Sequence, residues 1–122
     1  MGLSPKELGK EGERLAAEHL RKLGYKIIEQ NYRYSKGEID IIAVDPEDGY
    51  TVFVEVKTRQ NLMFGEPEYA MTDRKKKQVR RIAELYLYEK EITEIDCRFD
   101  VVAIMIRPKR KPSIRHYKNA FM

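Results

Sequence analysis

The chain has 122 residues, 42% of them hydrophobic and 36% charged, with a formal net charge of +4. That size and balance describe one soluble domain spanning 1–122 with a modest core, and no apolar run approaches the roughly 20 residues of a membrane-spanning helix. A single cysteine, Cys97, excludes an intramolecular disulfide, and no basic-then-apolar leader opens the chain; the expected location is cytoplasmic, with no membrane partner.

Ser4-Pro5-Lys6-Glu7 reads as a helix start, with Ser4 as N-cap, Pro5 in the first helical position and Glu7 completing a capping box. Leu8, Gly12, Leu15, Ala16, His19 and Leu23 follow at helical spacing until Gly24 ends the helix. Glu13 falls on the flank of that stripe among Gly9, Gly12, Ala16 and Ala17, small residues that allow close approach of another element. A short strand is expected over 25–30 and a loop over 31–37.

Next come two strands joined by Pro46-Glu47-Asp48-Gly49, a four-residue hairpin loop by composition. In the first strand Ile39, Ile41 and Ala43 are expected on one face and Asp40, Ile42 and Val44 on the other. In the second, Val52, Val54 and Val56 share one face, and Phe53, Glu55 and Lys57 the opposite one. If Asp45 and Tyr50 close the loop, Asp40 falls opposite Glu55 and Glu38 opposite Lys57.

Residues 60–69 read as irregular. A second helix is expected from about Thr72 to Lys90, with Val79, Ile82, Ala83 and Tyr86 buried. A strand follows over 95–106, with Cys97, Phe99, Val101 and Ala103 alternating against Arg98, Asp100, Val102 and Ile104. A last strand is expected over 113–117. Half of the 24 basic residues fall in two stretches. Arg74, Lys75, Lys76, Lys77, Arg80 and Arg81 open the second helix, where cations oppose the helix dipole. Arg107, Lys109, Arg110, Lys111, Arg115 and Lys118 lie near the C-terminus. Such clustering is the footprint of a polyanion binder, or else a solvated face with a basic tail.

Ionised groups inside apolar strands need a partner or a metal. Two carboxylates about 5 Å apart repel by roughly 3 kcal/mol at an effective dielectric near 20. Lys57 offsets one charge of Asp40 and Glu55; with Glu13 added, a divalent cation balances the sum, and hard oxygen ligands favour Mg²⁺ or Mn²⁺. Metal-assisted phosphodiester hydrolysis fits this set, with Lys57 orienting water or offsetting transition-state charge. A buried ion-pair network of Asp40, Glu55 and Lys57 is the alternative. His19 is expected to pack along its helix, His116 to lie in the basic tail, and Cys97 to act as a small core hydrophobe.

Glu38-Ile39-Asp40-Ile41-Ile42-Ala43, followed by Val52-Phe53-Val54-Glu55-Val56-Lys57-Thr58-Arg59, resembles the Asp…Glu-x-Lys core of the PD-(D/E)xK nuclease superfamily. Gly12-Glu13, Gly24-Tyr25, Asn31-Tyr32-Arg33, Phe64-Gly65, Arg98-Phe99-Asp100-Val101-Val102 and Asn119-Ala120-Phe121 extend the likeness. The whole pattern is similar to the small bacterial YraN family, related to archaeal Holliday junction resolvases. Ile39 stands where the superfamily's name expects proline. The resemblance implies an α/β, restriction-endonuclease-like mixed sheet flanked by helices. It implies catalytic roles for Glu13, Asp40, Glu55 and Lys57, with Asp40, Glu55 and Glu13 on the metal.

The expected function is therefore a Mg²⁺- or Mn²⁺-dependent endonuclease acting on branched or structured DNA, plausible as a homodimer by the same resemblance. Arg59, Arg74, Lys75, Lys76, Lys77, Arg80 and Arg81 are the candidate nucleic-acid contacts. A non-catalytic nucleic-acid-binding module with the nuclease fold is the alternative, and a protein-interaction scaffold a third reading.

Overall fold

The computed structural model describes residues 2–60, 69–93 and 96–121. Helix α1 (Pro5–Lys22) starts at the expected capping box: Ser4 Oγ accepts the Glu7 N–H at 3.2 Å and Glu7 Oε1 accepts the Ser4 N–H at 3.0 Å. It ends where Gly24, at φ 91°, lets the chain turn and Tyr25 N–H bond back to the Leu20 carbonyl at 2.9 Å. Strand β1 (Lys26–Tyr34) and strand β2 (Gly37–Val44) then form a tight hairpin, followed by β3 (Thr51–Arg59). Helix α2 (Asp73–Glu89) is capped by Thr72, whose Oγ1 accepts the Lys75 N–H at 3.1 Å. Strands β4 (Cys97–Met105) and β5 (Ser113–Tyr117) complete the chain.

The five strands form one sheet in the order β1-β2-β3-β4-β5, antiparallel except for the parallel β3–β4 pair. A parallel neighbour requires a crossover, and α2 lies within it. This is an α/β fold with a mixed sheet flanked by helices, as the resemblance implied. On one face Ala16, Ala17 and Leu20 of α1 pack on Ile41, Ala43, Val52, Val54, Val102 and Ile104. On the other, Val79, Ile82, Ala83, Tyr86 and Leu87 of α2 pack on Ile39, Ile42, Phe53 and Val101. No described helix is long and apolar enough to cross a membrane.

Three expectations are corrected. The stretch 31–37 is not a loop: β1 continues to Tyr34 because β2 pairs along it, and Asn31 stays in the strand at φ 53°. Alternation in β2 also fails. Ile39 joins Ile42 on the α2 face, whereas Ile41 and Ala43 lie on the α1 face, so the strand changes face at Asp40. The third concerns His116, expected within the basic tail, whose side chain turns inward from β5. Its Nε2 lies 2.7 Å from the Asp100 Oδ2, inside a buried polar network. The irregular segment expected over 60–69, with Phe64, Gly65 and Pro67, falls largely outside the described residues, as does the start of the strand expected from Ile95.

Candidate functional site

The β2–β3 hairpin has the predicted loop and register. Asp45 N–H donates to the Tyr50 carbonyl at 3.0 Å, and the pairs run from Val44–Thr51 to Ile41–Val54. There the ladder stops. Asp40, 8% exposed, turns its Oδ2 to the backbone N–H of Val56 at 2.7 Å. The two strands part at this bond, which opens the sheet at the residues carrying the charges. Asp40 and Glu55 still meet, through their side chains, by a hydrogen bond between the carboxyl groups.

Helix α1 brings the third acid. Gly12 is pressed so closely onto β3 that a Cβ there would lie 1.8 Å from Thr58 Oγ1. The next residue, Glu13, is thereby held over Asp40 and Glu38. One carboxylate oxygen from each of Glu13, Glu38 and Asp40 lies within 4.8 Å of the others. Glu38 was not among the predicted ligands. Its signal is its place two residues before Asp40 on the same strand, although the expected register sets it opposite Lys57 across the hairpin. In the structure it pairs in register with Arg33 of β1, Arg33 Nε lying 3.2 Å from Glu38 Oε2.

The electrostatics follow from burial and like charge. Burial, then the charges of Asp40 and Glu38, push the Glu13 carboxyl up to about 7, and an Asn31 hydrogen bond opposes this weakly. Burial, then Asp40, push Glu55 up to about 8 against the pull of Lys75 and Lys57. Asp40 is also raised, chiefly by burial, although the Val56 N–H favours its ionised form. Lys75 Nζ lies 3.8 Å from Glu55 Oε2. Lys57 Nζ donates to the Ala70 carbonyl oxygen. Glu55, Lys57, Ala70, Met71, Thr72 and Lys75 line a cleft of about 400 Å³.

Asp40 thus meets Glu13 and Glu38 on one side and Glu55 on the other, Lys57 lines the same cleft as Glu55, and the Glu13–Glu38–Asp40 set offers only hard oxygen donors. Of the predicted nucleic-acid contacts, Lys75 reaches this cleft. Arg74 precedes it on α2, Lys76, Lys77, Arg80 and Arg81 follow it, and Arg59 ends β3. Among the described residues a second charged group is fully satisfied and sits on the α1 face of the sheet. Arg98 reaches Asp45 at 3.0 Å, Asp48 at 3.0 Å and Asp100 at 2.9 Å, while Tyr25 Oη donates to Asp45 at 3.0 Å. Cys97 is half-buried and packs against the α2 core, as expected of a small hydrophobe.

Fold and site together define a class: an α/β protein whose mixed sheet parts at a buried carboxylate cluster beside a lysine-lined cleft. The chain belongs to a family described as Uncharacterised protein family UPF0102, whose model matches residues 12–104. It is 40% identical to a UPF0102 protein of Trichlorobacter lovleyi over 99% of this chain and 94% of the relative. It is 45% identical to UPF0102 protein CT2262 of Chlorobaculum tepidum, covering 98% and 95% of the two chains. The match to UPF0102 protein GSU0650 of Geobacter sulfurreducens is 45% identical over 95% of this chain and 89% of that one. Among solved structures, SfsA of Pyrococcus furiosus in complex with Ca²⁺ is similar at a TM-score of 0.37 and 20% identity. That similarity covers 91% of this chain and 62% of the SfsA chain.

Proposed function

We propose that this protein is a metal-dependent endonuclease that hydrolyses phosphodiester bonds in branched or otherwise structured DNA. The observation that carries the reading is the convergence of Glu13, Glu38 and Asp40 within 4.8 Å, with Glu55 hydrogen-bonded to Asp40. So many carboxylates held together and partly withdrawn from water are unfavourable by themselves, as the raised Glu13 and Glu55 carboxyls indicate. A divalent cation offsets that charge, and an all-oxygen donor set suits Mg²⁺ or Mn²⁺.

In this reading Asp40, Glu55 and Glu13 hold the ion, with Glu38 as a further carboxylate at the same place. A bound ion supplies Lewis-acid polarisation of the scissile phosphate and makes water easier to deprotonate. The chain's own groups do the rest. The Val56 N–H fixes the Asp40 carboxylate in one orientation. The Lys57 ammonium exchanges the Ala70 carbonyl for the attacking water or the phosphoryl oxygens, where it offsets developing negative charge. Arg59, Arg74, Lys75, Lys76, Lys77, Arg80 and Arg81 hold the phosphate backbone by charge, independently of sequence. A homodimer suits a four-way junction, which presents two symmetry-related strands.

A nicking assay on four-way junctions, flaps and nicked duplexes, with Mg²⁺, Mn²⁺ or chelator, tests the proposal. Cleavage is expected only with metal, is abolished in Asp40→Asn, and falls by about a hundredfold or more in Lys57→Ala. Cleavage that survives Lys57→Ala is a contaminant's and sinks the assignment. DNA binding without cleavage, indifferent to divalent metal and to Asp40→Asn, supports the non-catalytic module instead.

A further inference from the structure

We infer that the β1–β2 hairpin, through Arg33 and Lys36, forms a second phosphate-holding wall of the site, opposite the basic face of α2. The ligand is the phosphodiester backbone of a nucleic-acid strand. Its identity rests on the nuclease reading, but the wall itself rests on separate observations.

Arg33, Lys36, Glu38, Lys75 and Gln78 line a second cleft of about 400 Å³ between the hairpin and α2. Lys75 also lines the cleft that contains Glu55 and Lys57, so the two clefts adjoin at one residue. Three cations, Arg33, Lys36 and Lys75, face one acid, Glu38, across the second cleft. Arg33 is the residue that links acids to groove. Its side chain is 78% exposed while its Nε lies 3.2 Å from Glu38. An exposed ion pair contributes little stability, so exchanging that carboxylate for a phosphate costs little. The planar guanidinium suits a phosphate in bidentate fashion.

The wall is also preorganised. Tyr34 pairs with Gly37 to close a two-residue turn in which Ser35 adopts φ 56°. Tyr32 meets the Tyr86 ring of α2 edge-on at a centroid distance of 5.2 Å. Gly37 is seated so tightly that a Cβ there would lie 2.6 Å from Ile82 Cδ1. The hairpin tip is therefore fastened to α2, which holds the backbone of Arg33 and Lys36 in place relative to that of Lys75. Asn31-Tyr32-Arg33 gains a joint role: Asn31 hydrogen-bonds Glu13, Tyr32 anchors, and Arg33 meets phosphate.

The test is fluorescence anisotropy of a labelled four-way junction and a labelled single strand, in chelator, across a salt titration. Arg33→Ala/Lys36→Ala is compared with Lys22→Ala/Lys26→Ala, which removes the same charge from the other end of β1 and α1. The hairpin variant is expected to bind about tenfold more weakly, with a log-log salt slope less negative by about 1.8 on the junction and about 1.4 on the single strand, while the control matches wild type. Unchanged affinity and slope in the hairpin variant, equal losses in both variants, or no binding by wild type overturns the inference. Cleavage with Mg²⁺ is scored in parallel. Binding that depends on Arg33 and Lys36 without any cleavage retains the wall and removes the nuclease reading; cleavage indifferent to them does the reverse.

Discussion

Asp40 accepts the Val56 N–H at 2.7 Å where the β2–β3 ladder stops, so one side chain both ends a strand pairing and becomes fixed beside three other acids. An asparagine at this position keeps an acceptor for Val56 while removing the charge that faces Glu13, Glu38 and Glu55.

Asp40→Asn is therefore expected to be no less stable than wild type in chelator, and more stable by about 1 kcal/mol, a melting-temperature rise of about 3–5 °C. Wild type is expected to gain stability with Mg²⁺, by about 2.7 kcal/mol at a hundred times the dissociation constant, and the variant to lose that response. Calorimetry with and without Mg²⁺ reads both. A sharp fall in stability for Asp40→Asn, with no Mg²⁺ response in wild type, makes the carboxylates a structural network.

The site also sets a pH dependence. Glu13 and Glu55 are raised from 4.5 to about 7 and about 8, chiefly by burial, so the folded chain binds these protons more tightly than the unfolded one. Their contribution is fully present below about pH 4.5 and is lost as pH rises through 7 and 8. In chelator, this part of the unfolding free energy is expected to decline between about pH 5 and about pH 8.5. If the site holds Mg²⁺ as proposed, the ion is expected to restore it, and more strongly at the higher pH. Denaturant titrations at the two ends of that range, showing a Mg²⁺ effect independent of pH, contradict the assignment of these protons.

Gly12→Ala tests the close approach of α1. The new Cβ has Thr58 Oγ1 at 1.8 Å and Thr58 Cβ at 2.8 Å, so the helix has to shift. A loss of about 1–3 kcal/mol is expected, as for an overpacked core, with weakened Mg²⁺ binding because Glu13 moves too. Thr58→Gly in the same chain is expected to recover part of both, which a double-mutant cycle measures.

Asp100→Asn tests the second charged network. Burial alone raises the Asp100 and Asp45 carboxyls. Hydrogen bonds from His116, Arg98 and the Asn119 N–H for Asp100, and from the Glu47 N–H, Arg98 and Tyr25 for Asp45, outweigh it and lower both. Asp100→Asn replaces the fully buried carboxylate shared by Arg98, His116 and the Asn119 N–H, while Arg98 keeps Asp45 and Asp48, and is expected to cost about 1.5–3 kcal/mol. On the proposed nuclease reading, cleavage per folded molecule is expected to stay unchanged. Stability from these two acids is present above their ordinary pKa of 3.8 and is lost as pH falls through their lowered values, the opposite sign to Glu13 and Glu55. Acid unfolding of wild type and variant at matched temperature checks this.

Local chemistry accounts for what was legible in the chain alone. Ser4 with Glu7, and Thr72, start both helices because their side chains satisfy orphan N–H groups within one turn. Pro46-Glu47-Asp48-Gly49 sets the β2–β3 register because loop length determines which residues face each other, and Asp40 and Glu55 share a site as a result. Small residues around Glu13 correctly implied a close helix approach. Tertiary structure decided the rest. The change of face at Asp40, with left-handed Asn31 on the neighbouring strand, breaks the period-two rule that was applied to residues 39–44. Glu38 joins the acids because α1 and β1 bring Glu13 and Arg33 to it. Tyr25, Asp45, Arg98 and His116 lie far apart in sequence, and only the packed sheet brings them into hydrogen-bonding range. Capping and turn geometry are settled between near neighbours, whereas the charge balance of a buried carboxylate depends on every element that packs around it.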